Sequence, residues 1–153
     1  MRALIQGARL ALGGVLVAAA IACTGCGRPF DVKTAPGFVP LEDQSAFAYR
    51  ATTPEGVVVG VRVVEDEHRG DLSFWSEAMT LQLHDRSGYA LLSTKDVTSA
   101  DGTRGRRLEL GRDDGGKPYD YWVEIFPAQG RLFVLEAGGE REIFERARPS
   151  VEW

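Results

Sequence analysis

From residue 89 onward the chain holds four strand-like runs, 89–98 (YALLSTKDVT), 104–111 (RGRRLELG), 119–127 (YDYWVEIFP) and 131–137 (RLFVLEA). The links between them centre on Asp101-Gly102, on Asp113-Asp114-Gly115-Gly116-Lys117-Pro118 and on Ala128-Gln129-Gly130, all short and turn-rich. Parallel neighbours would need a crossover of about a dozen residues, so these runs must pair antiparallel, as a meander. Upstream, 46–52 (AFAYRAT) and 57–65 (VVVGVRVVE) flank Thr53-Pro54-Glu55-Gly56 and predict a hairpin. Between the two groups, 71–86 (DLSFWSEAMTLQLHDR) places Leu72, Trp75, Met79 and Leu83 at helical spacing, with Asp71 to cap the start and Gly88 to close the end. A terminal helix is expected over 139–152, bent or ended by Pro149. Several strands are apolar on both parities: Trp122 and Phe126 alternate with Tyr121, Val123 and Ile125. A sheet wetted on one face would show one polar parity. The expectation is therefore an α+β fold, an antiparallel sheet of about six strands with helices packed on both faces.

The N-terminus carries an address. Arg2 and Arg9 precede an unbroken apolar run from Leu10 to Ala22, the layout of a secretory signal. The run is too short for the roughly 20 residues that a membrane-spanning helix needs. After it comes Cys23-Thr24-Gly25-Cys26-Gly27-Arg28-Pro29, which resembles the lipobox of bacterial lipoproteins. The resemblance implies that one cysteine receives a diacylglyceryl thioether, that the signal is cut just before it, and that the new amino group is acylated with a fatty chain such as palmitate. Cys26 has Gly25 and Thr24 before it, with Cys23 where the family prefers Leu; Cys23 is the alternative, with Ala22, Ile21 and Ala20 before it. Cys26 is favoured, because its use discards Cys23 with the signal and leaves no unpaired thiol in an oxidising compartment. An ordinary secretory signal is the bland alternative.

Several acyl chains, at about 0.8 kcal/mol per buried CH₂, anchor far more firmly than a single myristoyl group. The chain carries net charge −4, and Arg2 and Arg9 leave with the signal. Lipid, rather than charge, would therefore hold the protein to the membrane. The residue after the modified cysteine is Gly27, or Thr24 if Cys23 is used, and not the Asp of the enterobacterial inner-membrane rule. Delivery to the outer membrane, facing the periplasm, is what the resemblance implies. The organisation expected is a signal peptide at 1–25, a lipidated cysteine and proline-rich tether at 26–45, and one globular domain at 46–153.

The order of elements in that domain, with Phe74-Trp75, Gly88-Tyr89-Ala90-Leu91-Leu92, Ser99-Ala100-Asp101-Gly102, Tyr119-Asp120-Tyr121 and Glu136-Ala137-Gly138-Gly139, is similar to small proteins of the PsbP-like and Mog-type superfamily. The resemblance covers about residues 46–148. It implies a PsbP-like α/β/α sandwich and a binding or assembly role, and it brings no catalytic residues to transfer.

Chemistry is sparse. The chain has two His, two Cys and no Asn, so Cys/His zinc sites and Cys-His-Asn triads lack their parts. No dense basic stripe appears, which argues against a nucleic-acid partner. His84, Asp85 and Ser87 have the residue types of a hydrolytic triad, but neighbours on one helix end are expected to point apart. Glu65, Asp66, Glu67 and His68, or Asp113 and Asp114, could interest Ca²⁺ and read more simply as solvated loop charge. Arg104, Arg106, Arg107 and Arg112 could hold an anion and read more simply as the wet side and ends of a strand, paired across the sheet with Glu109, Asp120 or Glu124. Trp75, Tyr119, Tyr121 and Trp122, with Phe126 and Phe133, are core candidates that could instead wall a ligand pocket between sheet and helix.

The expectation is a lipid-anchored envelope protein, not an enzyme, with no cofactor, no metal site and no catalytic residues. Its partners would be the membrane, through covalent lipid, and another envelope protein. A small-ligand carrier with an aromatic-lined pocket is the alternative; a hydrolase or metal-dependent enzyme using His68 or His84 comes third.

Overall fold

The computed structural model describes residues 29–42, 45–67 and 69–151. The signal segment, Cys23, Cys26 and His68 lie outside the described residues. Seven strands form one antiparallel sheet: β1 (Val39–Pro40), β2 (Tyr49–Thr52), β3 (Val58–Glu65), β4 (Ala90–Thr98), β5 (Arg104–Asp114), β6 (Lys117–Ala128) and β7 (Arg131–Glu140). The spatial order is β1-β2-β3-β7-β6-β5-β4. Among the described residues two helices complete the fold, α1 (Leu72–Ser87) and α2 (Arg141–Val151).

Local chemistry accounts for the joints. Asp71 accepts a hydrogen bond from the Phe74 amide at 2.8 Å and caps α1. At its other end Gly88, at φ 67°, turns left-handed and donates to the His84 carbonyl at 3.0 Å. The β5–β6 and β6–β7 hairpins close on two residues each, because Asp114 pairs with Lys117 and Ala128 with Arg131. Their central residues Gly115-Gly116 and Gln129-Gly130 all have positive φ, as the right-handed twist of the flanking strands demands.

Helix α1 carries the chain from β3 to the far edge at β4, and the meander β4 to β7 brings it back beside β3. Along the way Leu72, Trp75, Met79 and Leu83 pack on Leu108, Leu110, Val123, Ile125, Leu132 and Val134. Helix α2 packs on Trp122, Ala137, Val59 and Val61, with Phe144 fully buried. Val123 and Trp122 are consecutive in β6 and point to opposite faces, so each face receives one helix.

Three sequence expectations need correction. There are seven strands rather than about six, because β1 lies in the stretch expected to be a loose tether. That stretch belongs to the fold: Phe38 is buried, Phe30, Val32 and Ala35 pack against the α2-side core, and Thr34 Oγ1 meets Tyr49 Oη at 2.8 Å. Strand β7 continues through Gly138 and Gly139 to Glu140, where a helix was expected, since both glycines keep their ladder partners Tyr121 and Asp120. Helix α2 lies within the expected 139–152 and runs through Pro149 to Val151; a proline removes one hydrogen bond from a helix, and burial of Val151 offsets the loss. Among the described residues no helix is long and apolar enough to cross a membrane.

Candidate functional site

Glycines inside strands mark places where something approaches the sheet closely. Gly60 in β3 and Gly138 in β7 are two such positions on the α1 face. A Cβ on Gly60 would stand 2.7 Å from the Phe47 ring, and one on Gly138 would stand 2.9 Å from Tyr121. Helix α1 crosses β4, β5 and β6 and leaves this corner of the face open. The result is a groove of about 520 Å³ whose floor is Gly60, Val58 and Gly138. Phe47, Arg50 and Arg62 wall one side; Tyr89, Tyr119, Tyr121 and Arg112 wall the other.

Each wall is an arginine laid against rings. The guanidinium carbons of Arg50 and Arg62 stand 5.0 and 5.2 Å from the centre of the Phe47 ring, and that of Arg112 stands 5.0 Å from Tyr89 and 5.8 Å from Tyr119. These are cation–π distances. Tyr89 stacks on Tyr121 at 5.1 Å. Glu136 lies in the groove and is engaged by the Arg62 guanidinium. Arg112 reaches the Ser87 carbonyl at 3.4 Å and Asp114 at 3.5 Å, both long contacts. Its Nε is buried with no hydrogen-bond partner among the described residues. Burial pushes the Tyr121 phenol up to about 12, against the pull of the Arg62 charge. Tyr89 is also raised, by burial first, with Arg112 opposing. Near neutral pH both phenols stay protonated.

The opposite face is closed by ion pairs as well as apolar packing. Arg107 donates to Glu124 at 2.6 Å in a buried pair. Arg107 and Arg148 sandwich the Trp122 ring, at 4.4 and 4.6 Å, and Phe144 meets its edge at 5.0 Å. Asp120 binds Arg141, the first residue of α2, at 3.0 Å. Glu109 accepts from Lys95 and Ser93 at 2.6 and 2.7 Å.

Of the four aromatic pocket candidates, Tyr119 and Tyr121 line the groove. Trp75 and Trp122 do not: Trp75, on α1, packs down on the sheet and donates to Asp66 at 3.0 Å, while Trp122 faces α2. Phe126 points the same way as Trp122 and covers Gly105. His84 and Asp85, expected to point apart, touch at 3.1 Å on the exposed end of α1. Asp66 is buried rather than solvated and ties its loop to the Gly70 amide and to Trp75. Asp113 accepts from Gly116 within its hairpin turn. No group of three or more His, Cys, Asp or Glu side chains gathers as a metal site among the described residues. Of the strand arginines, Arg106 pairs with Asp96 at 3.1 Å, and Arg107 belongs to the interior instead of the wet side. Phe47, Arg50, Arg62 and Glu136 were not singled out as site residues. The isolated strand glycines at 60 and 138 were the available signal.

The chain matches no protein-family model and no curated protein. Among solved structures it is similar to the cyanobacterial PsbP protein CyanoP from Synechocystis, at 11% identity and TM-score 0.56, over 74% of this chain and 76% of that one. It is also similar to LpqN, described as involved in cell envelope biogenesis of Mycobacterium tuberculosis, at 16% identity and TM-score 0.58, over 80% of this chain and 79% of that one. This chain has a PsbP-like fold. At such identities the likeness concerns the fold alone.

Proposed function

We propose that this chain is a lipid-anchored, non-catalytic module of the bacterial cell envelope that works by binding, with the groove on the α1 face as its binding surface for another envelope component. The observation that carries this reading is the make-up of the groove: guanidinium groups, aromatic rings, strand glycines and one carboxylate already held by Arg62. Such a set grips a partner. It offers no nucleophile with an adjacent base, and phenols held protonated by burial are poor proton acceptors near neutral pH. The lipobox-like segment and the fold shared with an envelope protein agree with the location.

Anchoring has a geometric consequence. Only Gly27 and Arg28 separate Cys26 from Pro29, where the described chain begins its path along the α2-side core. A thioether on Cys26 would hold the domain on a leash of at most about 11 Å. The module would ride close to the outer-membrane leaflet that faces the periplasm.

Cell fractionation with intact-mass analysis tests the anchor. Cys26→Ala should move the protein to the soluble fraction and abolish the acyl mass. If Cys26→Ala and Cys23→Ala proteins both stay acylated and membrane-bound, the anchor is elsewhere and the reading fails. A second reading, a small-ligand carrier, is favoured by the size of the groove, which lies within the range of roughly 300–1,000 Å³ usual for small-molecule sites.

A further inference from the structure

We infer that the groove on the α1 face receives a small organic oxyanion, a phosphate or carboxylate carried on a flat apolar ring system. The inference rests on the ligand-carrier reading of that groove and adds the chemical class.

Charge comes first. Three guanidinium groups gather around one carboxylate in a chain whose net charge is −4, so the groove runs against the sign of the molecule as a whole. Glu136 pairs with Arg62. Arg112 lies against Tyr89 and Tyr119 and reaches Ser87 and Asp114 only at long distance. About a third of its side chain, 34%, is exposed, so an incoming oxyanion can exchange those long contacts for short charge-assisted hydrogen bonds. The planar fork of arginine suits phosphate and carboxylate oxygens better than a lysine point charge does.

Shape supplies the rest. The rings of Tyr89, Tyr119 and Tyr121 beside Arg112 present aromatic surface on one side, and the Phe47 ring lying over Gly60 presents it on the other. A flat body can therefore lie between the two sets of rings. From β2, which carries Arg50, to β5, which carries Arg112, there are four strand spacings, roughly 19 Å. One phosphate cannot bridge that distance. The anionic group engages the Arg112 end, and the ring system lies along the floor toward Phe47.

The test titrates the full-length chain in detergent with 1-naphthyl phosphate and 1-naphthoate, against inorganic phosphate and neutral 1-naphthol, by calorimetry. At least one naphthyl anion should bind ten or more times tighter than both inorganic phosphate and 1-naphthol, and should weaken as salt rises. Arg112→Ala in the same detergent, which cancels uptake by micelles, should weaken it at least tenfold. Arg131→Ala, outside the groove, should leave it unchanged. Amide shifts on binding should centre on Gly60, Gly138 and Tyr119 in the wild-type chain, a readout that stands even if Arg112→Ala fails to fold. The inference is overturned if neither naphthyl anion binds at millimolar concentration, if 1-naphthol binds equally well, if Arg131→Ala causes the same loss, or if the shifts map elsewhere. Failure here, alongside an envelope partner cross-linked to groove residues, would remove the oxyanion and leave the binding module standing.

Discussion

The two faces of the sheet are finished differently. On one, α2 and the segment from Pro29 to Leu41 close over Trp122, Val59, Val61 and Ala51, and the polar groups there are paired, Arg107 with Glu124 and Asp120 with Arg141. On the other, α1 covers only the strands it crosses and leaves a corner where arginines lie on aromatic rings, with Phe47 and Tyr121 covering the strand glycines. Both faces are rich in aromatic and arginine side chains. The difference lies in what meets them: on the closed face another part of the chain completes each contact, whereas on the open face Arg112 keeps a buried donor unmet. Both faces carry fully buried core, Phe144 and Val151 on the first and Leu108, Leu110, Val123, Ile125 and Leu132 on the second, so the difference is confined to the corner that α1 leaves open.

The sharpest way to break this comparison is Phe144→Ala. Phe144 is fully buried on the closed face against Trp122, and its removal should cost about 3–5 kcal/mol in denaturant unfolding. A cost near 1 kcal/mol would mean that α2 is not what closes the face. Next is Glu124→Ala, which breaks the buried pair with Arg107; calorimetric unfolding should report a loss of roughly 3 kcal/mol. On the open face, Tyr89→Ala gives up the stack on Tyr121 and should cost only about 1 kcal/mol by the same measurement. A cost matching that of Phe144→Ala would make the groove a structural element.

The smallest effect concerns pH. Burial pushes Glu109 up, but hydrogen bonds from Lys95 and Ser93, with the charges of Lys95 and Arg148, together bring it below the ordinary carboxylate value. A carboxylate lowered in the folded state stabilises above its unfolded pKa and loses that contribution as pH falls through the folded value. Unfolding curves between about pH 6 and pH 3 should therefore show wild type losing more stability than Glu109→Gln, by up to about 1 kcal/mol for so accessible a pair. Parallel curves would show that the Glu109 contacts add nothing.

The strand runs were readable because their side-chain period and two-residue glycine turns are local facts, and α1 because Asp71 and Gly88 sit at its two ends. Strand β1 was not, since Val39-Pro40 has no pattern of its own and exists only through pairing with Ala51 and Thr52. The end of β7 was missed for a similar reason: glycine has little strand preference, and ladder partners on both sides hold Gly138 and Gly139 in place. Trp75, Tyr119, Tyr121 and Trp122 could be named as aromatic candidates, yet only tertiary placement divided them. Tyr121 and Trp122 are adjacent in sequence and end on opposite sides of the sheet.

By itself the sequence determined the antiparallel pairing, the short turn-rich links and the capped helix, because each depends on residues within one turn or one short link. The tertiary structure decided how far each helix reaches across its face. Coverage depends on where α1 must start and stop to join β3 to the distant edge strand β4, a distance set by the whole sheet. For that reason Phe47, Arg62, Arg112 and Gly138, far apart in the chain, meet in one groove that no local pattern announces.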